Sequence, residues 1–70
     1  MSLESMLNIE MEKEEEGRWI AEIEAIPGVI AYGETRKQAI NRVEALALRV
    51  LADRLENGEN IPDLNTLFAA

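Results

Sequence analysis

The first half of the chain alternates between apolar and polar positions in short segments. Residues 7–12 and 18–24 change from apolar to polar almost at every step, which is typical of strands with one buried face. The charged stretch 13–17 between them ends in glycine and predicts a hairpin loop of about five residues. A Pro-Gly pair at 27–28 ends the second strand, and the β-branched and aromatic residues of 29–33 predict a third.

The predicted antiparallel sheet has one apolar face. The side chains expected on it are Leu7, Ile9, Met11, Trp19, Ala21 and Ile23. Ile20 is the exception, an apolar residue at a position of the opposite, polar face. A sheet with one apolar face needs a second layer to cover it.

The covering layer is predicted to be one long helix. Thr35 is a good N-cap, and Gln38 three residues later completes a capping box. From Arg36 onwards apolar residues recur at helical spacing, and Asn57-Gly58 supplies a stop signal. The periodic residues are Ala39, Ile40, Val43, Leu46, Ala47, Val50, Leu51 and Leu55.

The apolar arc of this helix is wider than one small sheet can cover. With Leu48 included it spans about 200°, whereas a helix on one sheet needs a stripe of about 100° or somewhat more. The tail at 61–68, with a possible short strand near 66–68, can cover part of the excess. A second chain can cover the rest, so we predict a homodimer or higher homo-oligomer with Leu48, Leu51 and Leu55 as leading contacts and a strand edge as a second route.

These elements predict an α+β fold, a three-stranded antiparallel sheet covered by one long helix, with an optional short fourth strand. The 70 residues are enough for one domain. We divide it into a β-β-β-α core at 6–58 and a tail or short strand at 59–70.

The net charge of −7 lies entirely in the first half of the chain. Residues 1–35 carry nine acidic and two basic side chains, whereas residues 36–70 carry five of each. A field of this sign repels nucleic acids and anionic membranes and attracts basic partners. The acidic residues expected on the outer face of the first hairpin are Glu10, Glu12, Glu22 and Glu24.

Catalysis is not expected. The chain has neither cysteine nor histidine, which excludes thiol nucleophiles, imidazole bases and the usual zinc sites. The acidic run 14–16 is better explained as a solvated turn than as a cation site, and no glycine-rich phosphate loop is present. We therefore predict no cofactor and no metal. Without a membrane-length apolar run or a secretory signal, the default prediction is a soluble cytoplasmic protein.

The two large aromatic residues of the sheet each have two interpretations. Trp19 is more simply explained by packing against the helix, although tryptophan is also enriched at the centres of protein interfaces. Tyr32 on the short third strand fits either role equally well.

Several of these segments, in this order and spacing, resemble the HicB family of type II antitoxins. The resemblance lies in the aromatic-bearing segment 17–23, the segment 26–35 and the alanine that opens the helix at Ala39. The Gly58…Ile61-Pro62 stretch is similar to the family's exit from the helix. The residues of 26–35 that carry the motif are Pro27, Gly28, Gly33 and Thr35.

The resemblance implies a β-β-β-α-β module, described as a partial ribonuclease-H-like fold, that oligomerises and masks a small basic HicA-type toxin that cleaves mRNA. The residues we expect at the toxin interface are Glu10, Glu12, Glu22, Glu24, Trp19 and Tyr32. Many members of the family carry a further DNA-binding domain, whereas this sequence stops at Ala70, so we expect no nucleic-acid binding by this chain alone. The alternative is an orphan structural or ligand-binding domain of the same fold, without a toxin.

Overall fold

The computed structural model describes residues 7–61, Leu64 and Phe68. Three strands are followed by one long helix: β1 is Glu10–Lys13, β2 is Trp19–Glu22, β3 is Ile30–Gly33 and α1 is Arg36–Glu56. The strands form an antiparallel sheet of order β1-β2-β3. The predicted α+β fold is confirmed. No helix of the described part of the chain has the length and apolar character needed to cross a bilayer.

The hairpin between β1 and β2 is tighter than predicted. The N–H of Glu14 donates to the carbonyl of Arg18 at 2.8 Å, which extends the ladder beyond the strand ends. The N–H of Gly17 donates to the Glu14 carbonyl at 2.9 Å and closes the turn. The loop therefore has three residues, 15–17, in place of the expected five, as in hairpins whose last loop residue has positive φ.

Two consecutive turns separate β2 from β3. The N–H of Ile26 donates to the Ile23 carbonyl at 3.1 Å, and the N–H of Val29 donates to the Ile26 carbonyl at 3.1 Å. In the second turn Pro27 precedes Gly28, whose φ is +84°, the arrangement of a type II turn. Because the chain begins to turn directly after Ile23, both strands are shorter than the segments predicted from alternation.

The helix begins where the capping signal predicted. The N–H of Gln38 donates to Oγ1 of Thr35 at 3.0 Å. The Gln38 side chain reaches back one residue further than in the usual box, where its Oε1 accepts from the N–H of Glu34 at 2.7 Å. Gly33 is required at the adjoining position, because a Cβ there would lie 2.5 Å from the backbone nitrogen of Ala39.

The helix also ends where the stop signal predicted. Asn57 is the C-cap. The N–H of Gly58 donates to the Leu55 carbonyl at 3.0 Å, and the N–H of Glu59 donates to the Arg54 carbonyl at 2.9 Å. This pair of bonds is a Schellman motif and satisfies carbonyls that the end of the helix would otherwise leave unpaired.

The core lies between the inner face of the sheet and one row of α1. The tail contributes to it through Ile61 and Leu64, as expected for a segment that covers part of the helix. The predicted short strand near 66–68 lies outside the described residues, apart from the exposed Phe68. The buried residues are Ala21, Ile23, Ile26, Val29, Ala39, Val43, Ala47, Leu51, Ile61 and Leu64.

Burial excludes one of the three predicted self-association contacts. Leu51 is only 4% exposed and belongs to the core of its own chain, so it does not offer a contact to a second chain. Leu48 and Leu55 are 64% and 44% exposed and remain candidates. The helix turns Leu51 towards the core and these two leucines away from it. The sequence pattern alone does not separate these positions, because all three lie within the wide apolar arc.

Candidate protein-interaction surface

The face of the sheet that α1 does not cover is defined by the strand register. Glu10 of β1 lies opposite Glu22 of β2, which in turn lies opposite Ile30 of β3. In the neighbouring row the order is Glu12, Ile20 and Tyr32. We call these residues the outer face: Glu10, Glu12, Ile20, Glu22, Ile30 and Tyr32.

Carboxylates converge at one corner of the outer face. Oxygen atoms of Glu10, Glu22 and Glu24 all lie within 4.8 Å of one another, and the three side chains are exposed. The sequence predicted these glutamates for the outer face but did not group them. Glu24 joins the other two because it lies two residues beyond Glu22, and alternation places both side chains on the same face. We call Glu10, Glu22 and Glu24 the acidic cluster.

The carboxylates of the acidic cluster shift the pKa of one of their members, Glu10. The Glu24 side chain, as a hydrogen-bond partner and as a like charge, raises the pKa of Glu10 above its ordinary value, with smaller contributions from desolvation and from the charge of Glu22. Like charges directly opposite one another in a sheet destabilise it. The arrangement is therefore unfavourable in the isolated chain and becomes favourable when a cation lies beside it.

An apolar strip adjoins the acidic cluster. Ile30 and Tyr32 are 39% and 41% exposed, and the half-buried Ile20 lies between the glutamates and Tyr32. Tyr32 was predicted at the interface from the sequence, whereas Ile20 and Ile30 were not. The sequence contains a sign of both isoleucines. Ile20 interrupts the polar positions of the second strand, and Ile30 directly follows another apolar residue, Val29.

Arg18 borders the apolar strip and contacts both Tyr32 and Glu14. Its guanidinium lies 4.4 Å from the centre of the Tyr32 ring, and its Nε donates to Oε1 of Glu14 at 2.6 Å. The hydrogen bond and charge of Glu14 raise the pKa of Arg18. The guanidinium covers one face of the ring, so Tyr32 and Arg18 are presented to a partner together.

The free edge of β3 is partly closed by the helix. Nη1 of Arg42 donates to the backbone carbonyl of Tyr32 at 2.8 Å. This bond occupies an acceptor that an added strand would need, because the ladder to β2 uses the groups of Ala31 and Gly33. The carbonyl of Tyr32 is thus protected at this edge, while its side chain is 41% exposed on the outer face.

Trp19 does not belong to this surface. It lies on the inner face, half-buried and packed against the core, with Nζ of Lys13 5.7 Å from its ring centre. The position agrees with the packing interpretation and separates Trp19 from the other toxin-interface candidates. In the acidic run 14–16, Glu14 pairs with Arg18.

The outer face combines charged and apolar groups that a binding partner can contact. Exposed carboxylates such as those of the acidic cluster can attract a cation, whether a metal ion or a basic side chain, and the neighbouring strip offers apolar and aromatic contact. Comparison with models of known families, with curated proteins and with solved structures gives no match for this chain.

Proposed function

We propose that this chain is an antitoxin-like protein that binds and neutralises a small basic HicA-type toxin that cleaves mRNA. The observation that carries the proposal is the outer face, where the acidic cluster lies beside the apolar strip. The sequence resemblance to HicB antitoxins leads to the same partner. The partial ribonuclease-H-like assignment remains a prediction.

The acidic cluster supports a basic partner. An isolated sheet gains nothing from like charges placed opposite one another, whereas a lysine or arginine brought between Glu10, Glu22 and Glu24 removes their repulsion. A protein that binds RNA carries such basic side chains on the surface that contacts phosphates. Masking that surface with carboxylates blocks access of RNA and neutralises the toxin.

The apolar strip supports a protein partner over a free ion. Interfaces combine a desolvated apolar centre with a polar rim, and tyrosine is enriched at their energetically dominant positions. Tyr32 and Ile30 supply that centre, and the glutamates of the outer face form one side of its rim. The proposed toxin-binding set is accordingly Glu10, Glu12, Ile20, Glu22, Glu24, Ile30 and Tyr32, without Trp19.

The remaining partner predictions follow from charge. With a net charge of −7, we expect no appreciable affinity of this chain alone for duplex DNA. A gel shift with sequence-specific retention at moderate salt would contradict this. An mRNA-cleaving toxin acts where mRNA is translated, so we place the proposed complex in the cytoplasm.

The proposal predicts that a small basic protein is encoded beside this chain, and the direct test is co-expression of the two. We expect that protein alone to stop growth, and the pair to restore growth and to co-purify. A harmless neighbour, or a pair that does not co-purify, would exclude the toxin–antitoxin function and leave the orphan-domain alternative.

A charge-reversal pair tests whether the outer face carries the binding. Glu22→Lys combined with Glu24→Lys should slow association with the toxin strongly at low salt and much less at high salt, because steering is screened. The matched control is Asp53→Lys combined with Glu59→Lys, which changes the net charge equally at exposed positions away from the sheet. Equal effects of the two pairs would show that only net charge matters, and the outer face would lose its assigned role.

A further inference from the structure

The helix has a second row of apolar residues that the sheet does not cover. Leu48 and Leu55 are 64% and 44% exposed, Ala52 is exposed and Ala45 is half-buried. Their spacing alternates between three and four residues, the a and d positions of a heptad repeat. At about 100° per residue this row lies roughly 120° round the helix from the buried row that contains Ala47. We call these four residues the leucine seam.

We propose that the leucine seam binds the leucine seam of a second copy of this chain, with the two helices antiparallel. In that arrangement Leu48 faces the partner's Ala52, and Leu55 faces the partner's Ala45. The two-fold axis repeats both contacts, so the surface is complementary to itself. The inference does not depend on a toxin.

Side-chain size supports this pairing. Each layer of an antiparallel pair combines one leucine with one alanine, so every layer has the same volume. Alanines at alternate positions allow the helix axes to approach towards the short end of the usual 8–10 Å range. A parallel pair would place leucine on leucine and alanine on alanine, and its layers would alternate between crowded and empty.

Charge supports the same orientation. Arg49 and Glu56 flank the seam on one side, both are exposed, and neither forms an ion pair with another described residue. In the antiparallel pair Arg49 lies beside the partner's Glu56, and the symmetry produces this attraction twice. Flanking charges of this kind select partner and orientation in coiled coils, and antiparallel helices also oppose their dipoles favourably.

An apolar recess on the other side of the seam extends the contact. It has a volume of about 110 Å³ and is bordered by Leu7, Ile9, Ala47 and Leu48. A helix packed along the seam covers its mouth and removes this surface from water. Because the seam is short, we expect a dimer with a dissociation constant on the order of micromolar, as for small interfaces.

Sedimentation over a range of concentrations tests the dimer. The unmodified 70-residue chain should change from its monomer mass of 7.9 kDa to twice that mass as the concentration rises through the micromolar range. Leu48→Lys should stay monomeric and folded, because this side chain is mostly exposed in the single chain. Ile30→Lys is the matched control, an apolar-to-basic change on the outer face, and should still dimerise. A chain that is monomeric at all concentrations, or a Leu48→Lys variant that still dimerises, would overturn the proposal.

A charge exchange and cross-linking test the orientation. Arg49→Glu and Glu56→Arg should each weaken the dimer several-fold, and their combination should restore it, since residues two turns apart cannot pair within one helix. The chain has no cysteine, so introduced cysteines are unique. A mixture of Leu48→Cys and Ala52→Cys chains should form the mixed disulfide in preference to either symmetric one. Lack of rescue, or preferential 48–48 cross-linking, would overturn the antiparallel arrangement.

Discussion

The two faces of the sheet are formed by the same strands but differ in character: the inner face is apolar and packed, whereas the outer face is charged and exposed. On the inner face Met11, Ala21 and Ala31 lie side by side under the helix, and Ala21 is fully buried. One residue along each strand, the outer face places Glu10 opposite Glu22 and leaves Ile30 exposed. The inner residues are those that packing favours, whereas the opposed glutamates of the outer face repel one another in the isolated chain.

This contrast supports the outer face as the proposed binding surface. Small residues in the centre of the inner face let the helix approach closely, and their identity is explained by the fold. Opposed glutamates and exposed isoleucine and tyrosine have no such explanation. Violations of local rules that the fold does not need are expected at functional sites.

The largest expected difference between the faces comes from shortening one isoleucine on each. Ile23→Ala on the inner face removes a side chain that is 2% exposed and should cost about 2–5 kcal/mol of unfolding free energy. Ile30→Ala on the outer face should cost about 1 kcal/mol or less. Urea unfolding of the two variants measures the difference. Similar losses would mean that the outer face is also part of the folding core.

Gly33→Ala tests the packing of the inner face at a close contact between the sheet and the helix. The added Cβ would meet the backbone of Ala39, which cannot move without displacing the start of the helix. We expect a loss of about 1–3 kcal/mol in the free energy of unfolding. The control Gly28→Ala adds a Cβ that meets nothing within 4 Å, so its cost is limited to the strain of a positive φ. An unchanged stability of Gly33→Ala would show that the helix tolerates a shift at its first turn.

The sequence was sufficient to predict the order of the elements and both ends of the helix. Thr35, Gln38 and the Asn57-Gly58 pair act through local hydrogen bonds, which depend only on neighbouring residues. Strand ends were less predictable, because the turn after Ile23 is set by bonds to Ile26 that compete with the ladder. The alternation of apolar and polar residues alone does not show at which residue the turn replaces the strand ladder.

The candidate surface was only partly predictable for a related reason. Which face the glutamates occupy follows from alternation, and this prediction is confirmed by the register. That Glu24 meets Glu10, or that Arg18 stacks on Tyr32, depends on the register in which the strands pair. Leu48 and Leu51 are equally apolar in sequence, and only the packing of the helix separates the exposed residue from the buried one.

The smallest expected effect is a reversed pH dependence at the acidic cluster. The pKa of Glu10 is raised in the folded chain, chiefly by the hydrogen bond and the charge of Glu24, so the folded state binds this proton more tightly than the unfolded state. Its contribution to stability is therefore present at acidic pH, and it is lost as the pH rises through the raised pKa. This trend opposes the usual acid destabilisation by carboxylates with lowered pKa values.

Glu24→Gln isolates that contribution. Replacing the like charge should lower the pKa of Glu10 towards its ordinary value, which carbon-detected NMR titration of the Glu10 carboxyl measures directly. Unfolding midpoints of this variant should decrease less than those of the parent chain between mildly acidic and neutral pH. Glu59→Gln, an exposed carboxyl beyond the helix, should leave both the titration and the pH slope unchanged. If Glu10 titrates identically in all the chains, the carboxylates do not interact in solution, and the acidic cluster loses its unfavourable energy as an argument for a basic partner.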